Sequence, residues 1–196
     1  MIKFFRPQFF MVLIHFLLLS SIFASQKSEK NVPQPFGLKL GISTRNEVET
    51  VIKKEGGKIT KEGYKIIKGD IINPHIKGIK VKGLPIENLT EATFWFFEDK
   101  LFSIVYTFPL SMNKEEFYVL YKQLETKYGK PKKYVKPYLA DGIAEWYFGD
   151  IVIKLYAPWA SWSMYLHYKH LPFSKQAEQS DKEVFKQEVS KPKKGL

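Results

Sequence analysis

The chain has 196 residues, is 44% hydrophobic and 16% aromatic, and contains no cysteine. A chain of this size buries roughly 70% of its unfolded surface, so a core can form without staples, and the missing cysteine excludes disulfides, thiolate metal sites and a cysteine nucleophile. The formal net charge of +11 points to acidic partners. However, Arg45 is the one arginine beyond residue 24 and the lysines are scattered, the pattern of a solvated surface rather than of a bidentate anion site.

Residues 1–24 read as an export leader. Lys3 and Arg6 precede an apolar run from Phe9 to Leu19, and Ser20, Ser21 and Ala24 supply small residues toward a cut. The expected location is therefore periplasmic or secreted. The alternative is an uncleaved leader whose residues 9–23 anchor the chain in the inner membrane, the one membrane contact this reading includes. Residues 25–35 form a polar linker.

The first folded unit is expected over residues 36–110. Thr44 and Glu47 have capping-box spacing, Val48, Val51 and Ile52 make an apolar stripe, and Gly56-Gly57 ends the helix. Residues 58–81 alternate weakly around Gly63, Gly69 and Gly78, which suggests short strands in irregular register. Phe94 to Phe97 and Ile104 to Tyr106 flank the turn residues Glu98-Asp99-Lys100 and read as a hairpin.

The second unit, residues 111–172, is expected to write the same plan again. Asn113 and Glu116 repeat the cap spacing, Phe117, Leu120, Tyr121, Leu124 and Tyr128 fall on one helical face, and Gly129 with Pro131 stops the helix. The two-residue loop Gly149-Asp150 pairs Phe148 with Ile151. Period two then puts Trp146, Phe148, Ile151, Ile153 and Leu155 on the core face, with Glu145, Tyr147, Val152, Lys154 and Tyr156 opposite. In the last strand Trp162, Met164, Leu166 and Tyr168 alternate with Ser163, Tyr165, His167 and Lys169, the same apolar and mixed division. Residues 173–196 are charged, a helical or disordered tail.

These elements give the expected fold: α+β, two tandem helix-plus-antiparallel-sheet repeats with the helices on one face. The other face carries Trp95, Phe97, Tyr147, Tyr165 and His167, the candidate partner-binding residues, with the assignment of Trp95 and Phe97 depending on strand parity across Glu98 to Lys100. The competing reading is that this face is covered by residues 58–89, by the tail or by the other unit.

No catalytic constellation is spelled out. His167 and His170 stand three apart, and on a strand that spacing points them to opposite faces. No metal-ligand spacing, nucleophile elbow or glycine-rich phosphate loop occurs, so no metal or cofactor is expected. Nucleic acid is not an expected partner either, since an export leader takes the chain away from it.

Leu40-Gly41-Ile42-Ser43 leading into Glu47-Val48, then a glycine-ended helix and antiparallel strands, resembles the opening of the SmpA/OmlA (BamE-like) envelope proteins and the β-lactamase-inhibitor-like fold. This chain departs from the former in lacking an anchoring cysteine. The resemblance implies a non-enzymatic binding scaffold. The sequence reading is thus an exported protein that binds an envelope protein or polymer through its aromatic sheet face. The alternatives are an inhibitor of a secreted hydrolase acting through the loop around Pro158-Trp159, and an enzyme of unrecognised class dependent on His167.

Overall fold

The computed structural model of the chain describes residues 32–191. Residues 1–24, expected to be an export leader, and most of the expected linker lie outside the described residues. A 3-10 turn, Pro35–Gly37, leads into helix α1 (Arg45–Lys54), then strands β1 (Lys58–Lys68), β2 (Ile71–Lys82), β3 (Glu91–Phe97) and β4 (Lys100–Pro109). Helix α2 (Glu115–Tyr128) follows, then β5 (Lys133–Val135), β6 (Gly142–Phe148), β7 (Ile151–Ala157), β8 (Ser163–His170) and helix α3 (Leu171–Val189).

All eight strands belong to one antiparallel sheet in the order β1-β2-β3-β4-β8-β7-β6-β5. This overturns the expected pair of tandem helix-plus-sheet repeats. Strand β4 pairs with β8 along seven residues, from Ser103 opposite Lys169 to Pro109 opposite Ser163. The hydrogen-bonded ladder therefore runs through the boundary at which the second unit was to begin. One apolar cluster joins Val48 of α1, Phe94 of β3, Phe117 of α2 and Trp146 of β6, so neither half has a core of its own.

The first face of the sheet is continuous across the molecule. Ile79, Phe94, Ile104, Tyr168, Ile153 and Trp146 stand opposite one another on successive strands, and all are buried. Each such side chain contributes about 1.5–3 kcal/mol of hydrophobic stabilisation. Helices α1 and α2 cover this face. The capping box of α1 is present, Thr44 N donating to Glu47 Oε2 at 2.8 Å and Glu47 N to Thr44 Oγ1 at 3.4 Å. Arg45 pairs its guanidinium within the chain, with Glu49 at 2.6 Å and with the exposed Glu62 of β1 at 2.7 Å.

Helix α2 starts differently from the expected cap. Lys114 occupies the N-cap in the left-handed region at φ 62°, while the Glu116 carboxylate turns back to accept from the Ser111 amide and hydroxyl. The helix ends at Gly129, whose carbonyl accepts from Trp146 Nε1 at 2.8 Å. That bond satisfies the one polar atom of a tryptophan that is otherwise core.

The expected position of the helices is also corrected: they do not all lie on one face. Helix α3 packs on the second face, against β1, β2, β4 and β8. A separate small cluster of Ile76, Phe102 and Ala177, with Trp95, Phe97 and Phe173 around it, lies beneath it. The β3–β4 connection explains how so many apolar side chains reach that face. Glu98 and Asp99 take φ of 46° and 65°, as a tight primed turn requires, and a register shift then lets Phe96 pair with Leu101 while Trp95 pairs with Ser103. Phe102 is the extra residue, and the bulge lets Leu101 and Ile104 both enter the main core while Phe102 goes under α3.

Candidate functional site

The parity left open by the sequence resolves in favour of a shared face. Gly78, Trp95, Ser103, Lys169, Val152 and Tyr147 form one row across the sheet, so Trp95 and Tyr147 are on the same side, about 19 Å apart at the usual strand spacing. Tyr165 and His167 share that side. What separates the five candidates is α3. It places Phe173 at 6.4 Å from the Phe97 ring and encloses Trp95 and Phe97 with Ile76, Phe102 and Ala177. Trp95 itself lies flat over the Gly78 backbone, so close that a Cβ there would stand 2.7 Å from the indole.

Tyr147, Tyr165 and His167 lie outside that cluster, on the half that α3 does not roof, Tyr147 exposed and the other two half-buried. Register brings Lys154 opposite His167 and Tyr156 opposite Tyr165, with Val105 and Thr107 on the other flank. The Tyr156 and Tyr165 rings are stacked at 6.4 Å and 25°, and the His167 ring is 6.1 Å from Tyr165. A polar chain runs beside them. Lys132 Nζ lies 5.6 Å over the Tyr147 ring, Tyr147 donates to Glu145 at 2.9 Å, and Lys154 is 3.4 Å from the same carboxylate. Lys154 also lies 5.4 Å over Tyr156, whose hydroxyl donates to Asp141 at 2.8 Å.

The electrostatics follow from this packing. Burial, then the charges of Lys169 and Lys154, push the His167 imidazole down to about 4, so it is neutral near pH 7. Its Nδ1 is buried without a partner among the described residues. Asp141 is held below the usual carboxylate range, chiefly by the Trp159 amide and next by the Tyr156 hydroxyl. The glutamate hydrogen bond raises Tyr147 and the aspartate bond raises Tyr156. These phenols therefore stay protonated and act as hydrogen-bond donors. A surface of stacked phenols, a neutral imidazole and lysine ammonium groups can grip an acidic or hydroxyl-rich partner.

Sequence reasoning assigned Tyr156 and Lys154 to this face but did not name them as contacts. The signal was available in the Gly149-Asp150 register. Lys169 and Asp141 were also missed, the latter because its role depends on a loop fold. Two grooves lie elsewhere: one beside α3, lined by His75, Phe97, Glu98 and Gln179 among others, and one between α2 and the segment before β3, lined by Asn88, Phe108, Val119 and Met164 among others. Among the described residues there is no group of three or more His, Cys, Asp or Glu side chains placed to hold a metal ion, and no helix is long and apolar enough to cross a membrane.

A family model described as the TP0088 domain matches residues 35–180, about three quarters of the chain. The chain belongs to the TP0088 domain family. The matched span takes in every strand, α1, α2 and α3 as far as Ser180, so both halves of the second face lie inside the TP0088 domain. The opening motif likened above to SmpA/OmlA proteins also falls within it, but the match names only the TP0088 domain. No curated protein and no solved structure matches the chain.

Proposed function

We propose that this TP0088 domain protein is an exported, non-enzymatic binding protein, and that an acidic envelope protein or polymer lies across the half of the sheet that α3 leaves open. Tyr147, Tyr156, Tyr165 and His167 are the contacts, and Lys132, Lys154 and Lys169 supply the charge. The observation that carries the reading is the stacked Tyr156–Tyr165 pair beside His167, with Tyr147 exposed nearby, on the same face whose other aromatics are packed beneath the chain's own helix. Aromatic side chains with one apolar body and one polar tip are what recognition surfaces concentrate.

Photo-crosslinking in intact cells tests this directly. A crosslinker at position 147 is expected to capture one reproducible partner at native abundance, and a Tyr156→Ser/Tyr165→Ser background to lose it. Absence of any reproducible partner counts against the proposal. Turnover in a broad hydrolase screen that a His167→Ala change abolishes would replace it with an enzyme.

A further inference from the structure

The four most exposed large hydrophobic side chains among the described residues are Met112, Leu139, Tyr138 and Trp162, at 81%, 76%, 75% and 71% of their full accessibility, and Trp159 is at 57%. They do not scatter. They occupy three loops, residues 110–114, 136–141 and 158–162, which follow β4, β5 and β7. In this antiparallel strand order all three leave the sheet at the same end.

Their exposure is built in, since the loop backbones are fixed. Lys114 is buried, and its ammonium donates to the carbonyls of Trp159 at 3.2 Å and Ser161 at 3.3 Å. Leu110 N donates to Trp162 O at 2.9 Å. Asp141 accepts from Trp159 N at 2.7 Å with one carboxylate oxygen and from the Tyr156 hydroxyl with the other. The polar groups thus turn inward and bind loop to loop, while two indoles, a phenol, a leucine and a methionine stand outward. A loop tip that hides its polar atoms and shows its apolar ones reverses the ordinary arrangement.

The charges favour one occupant. Of the three charged side chains on these loops, Lys114 and Asp141 are engaged internally and Lys136 is exposed. Lys133 lies three residues back along β5, about 10 Å or one Debye length away. The exposed acids at this end are Glu115, at the start of α2, and Glu87, before β3; β3 and β4 are separated from β5, with Lys133 and Lys136, by β8, β7 and β6. A protein partner would need pockets shaped for five separate projecting side chains. A lipid interface needs none, and tryptophan and tyrosine are the residues that settle at headgroup level. We propose that this end of the molecule inserts Met112, Tyr138, Leu139, Trp159 and Trp162 into the interface of an anionic bilayer, with Lys136 and Lys133 at the headgroups. The folded domain itself then touches the membrane, whatever the leader does.

Tryptophan fluorescence of the full chain tests it, because the four tryptophans are Trp95, Trp146, Trp159 and Trp162 and none lies in the leader. With vesicles of one part phosphatidylglycerol to two parts phosphatidylcholine, brominated near the headgroup end of the acyl chains, the emission is expected to shift to the blue and be quenched. A Met112→Ser/Leu139→Ser variant keeps both exposed indoles and is expected to need about tenfold more lipid for half-maximal quenching, with an unchanged thermal midpoint. Quenching absent on anionic vesicles, or equal on pure phosphatidylcholine and unmoved by the double variant, overturns the proposal. So does a protein crosslinked through position 159 without any quenching, which would assign the loops to a protein partner.

Discussion

Two halves of one sheet face carry similar side chains and have different fates. On β2–β4, Phe102 is buried and Trp95 and Phe97 half-buried in a cluster beneath α3; on β6–β8, Tyr147 is exposed, and Tyr156 and Tyr165 are half-buried but stand outside that cluster. The covered half uses rings with little polar chemistry, and the one tryptophan there is pressed onto glycine backbone. The open half uses phenols, each with a hydroxyl that finds a carboxylate or faces water. The difference teaches that an aromatic-rich strand is not by itself a binding surface: the polar tips, and the reach of the next element, decide which half is core.

The roof over the first half is light, and that makes it testable. The inward stripe of α3 is Phe173, Ala177, Ser180 and Asp181 with Val184, so small residues bring it close but bury little apolar area. Polar contacts to β1 and β2 compensate: Asn73, fully buried, donates to Ser180 and Asp181 at 3.0 Å each, and Lys65 pairs with Asp181. Placing a charge in the middle of that contact should have the largest effect. Ala177→Asp is expected to cost about 3 kcal/mol or more, with hydrogen exchange showing amides of 171–189 losing protection while those of β6–β8 keep it. Retained protection would mean that α3 is not held there.

Acid should act on the boundary between the two halves. His167 has a folded value near 4 against an ordinary 6.5, and His170 is lowered as well, by burial, while its Nδ1 accepts from Phe173 N at the start of α3. Because both folded values lie below the unfolded ones, the unfolded chain takes up protons more readily. The histidine contribution is therefore complete above about pH 6.5, falls as pH drops toward 4 and levels off below, where protonation of the lowered Asp141 and Glu116 carboxylates continues the loss. For His167 the loss is on the order of 2–3 kcal/mol. Urea titrations across that range should show it, and a His167→Gln variant should flatten most of it. A pH-independent wild type would contradict the burial of that ring.

Asn73→Ala is expected to be milder, about 2 kcal/mol, because it strands Ser180 and Asp181 without forcing a charge inward. It should again loosen α3 before the sheet, and a loss of exchange protection spread evenly over both halves would show that the two are not separable.

Much of the local structure was legible. The Gly149-Asp150 hairpin has the expected register, Phe148 opposite Ile151, because a two-residue loop leaves no freedom in pairing. The Thr44–Glu47 cap was readable for a similar reason: both partners lie within one turn. The β3–β4 faces were not readable, since an extra residue at Phe102 shifts parity, and nothing in a run of aromatics marks where the bulge falls. The long-range pairing of β4 with β8 was missed because a duplicated pattern says nothing about whether its copies join edges. Helix α3 was read as a tail because its buried stripe is Ala and Ser, which hydropathy does not distinguish from solvent positions. Its cover over Trp95 and Phe97 was weighed only as the competing reading, while Tyr147, Tyr165 and His167 needed no such knowledge to be placed.

The division of the face can be measured most directly by unfolding two single variants side by side. Trp95→Ser should cost about 2–3 kcal/mol, since it empties the space between Gly78 and α3, whereas Tyr147→Ser, at a residue that is 42% exposed, should cost less than about 1 kcal/mol. Equal and large losses at both positions would make the open half part of the structural core and leave no free surface for a partner.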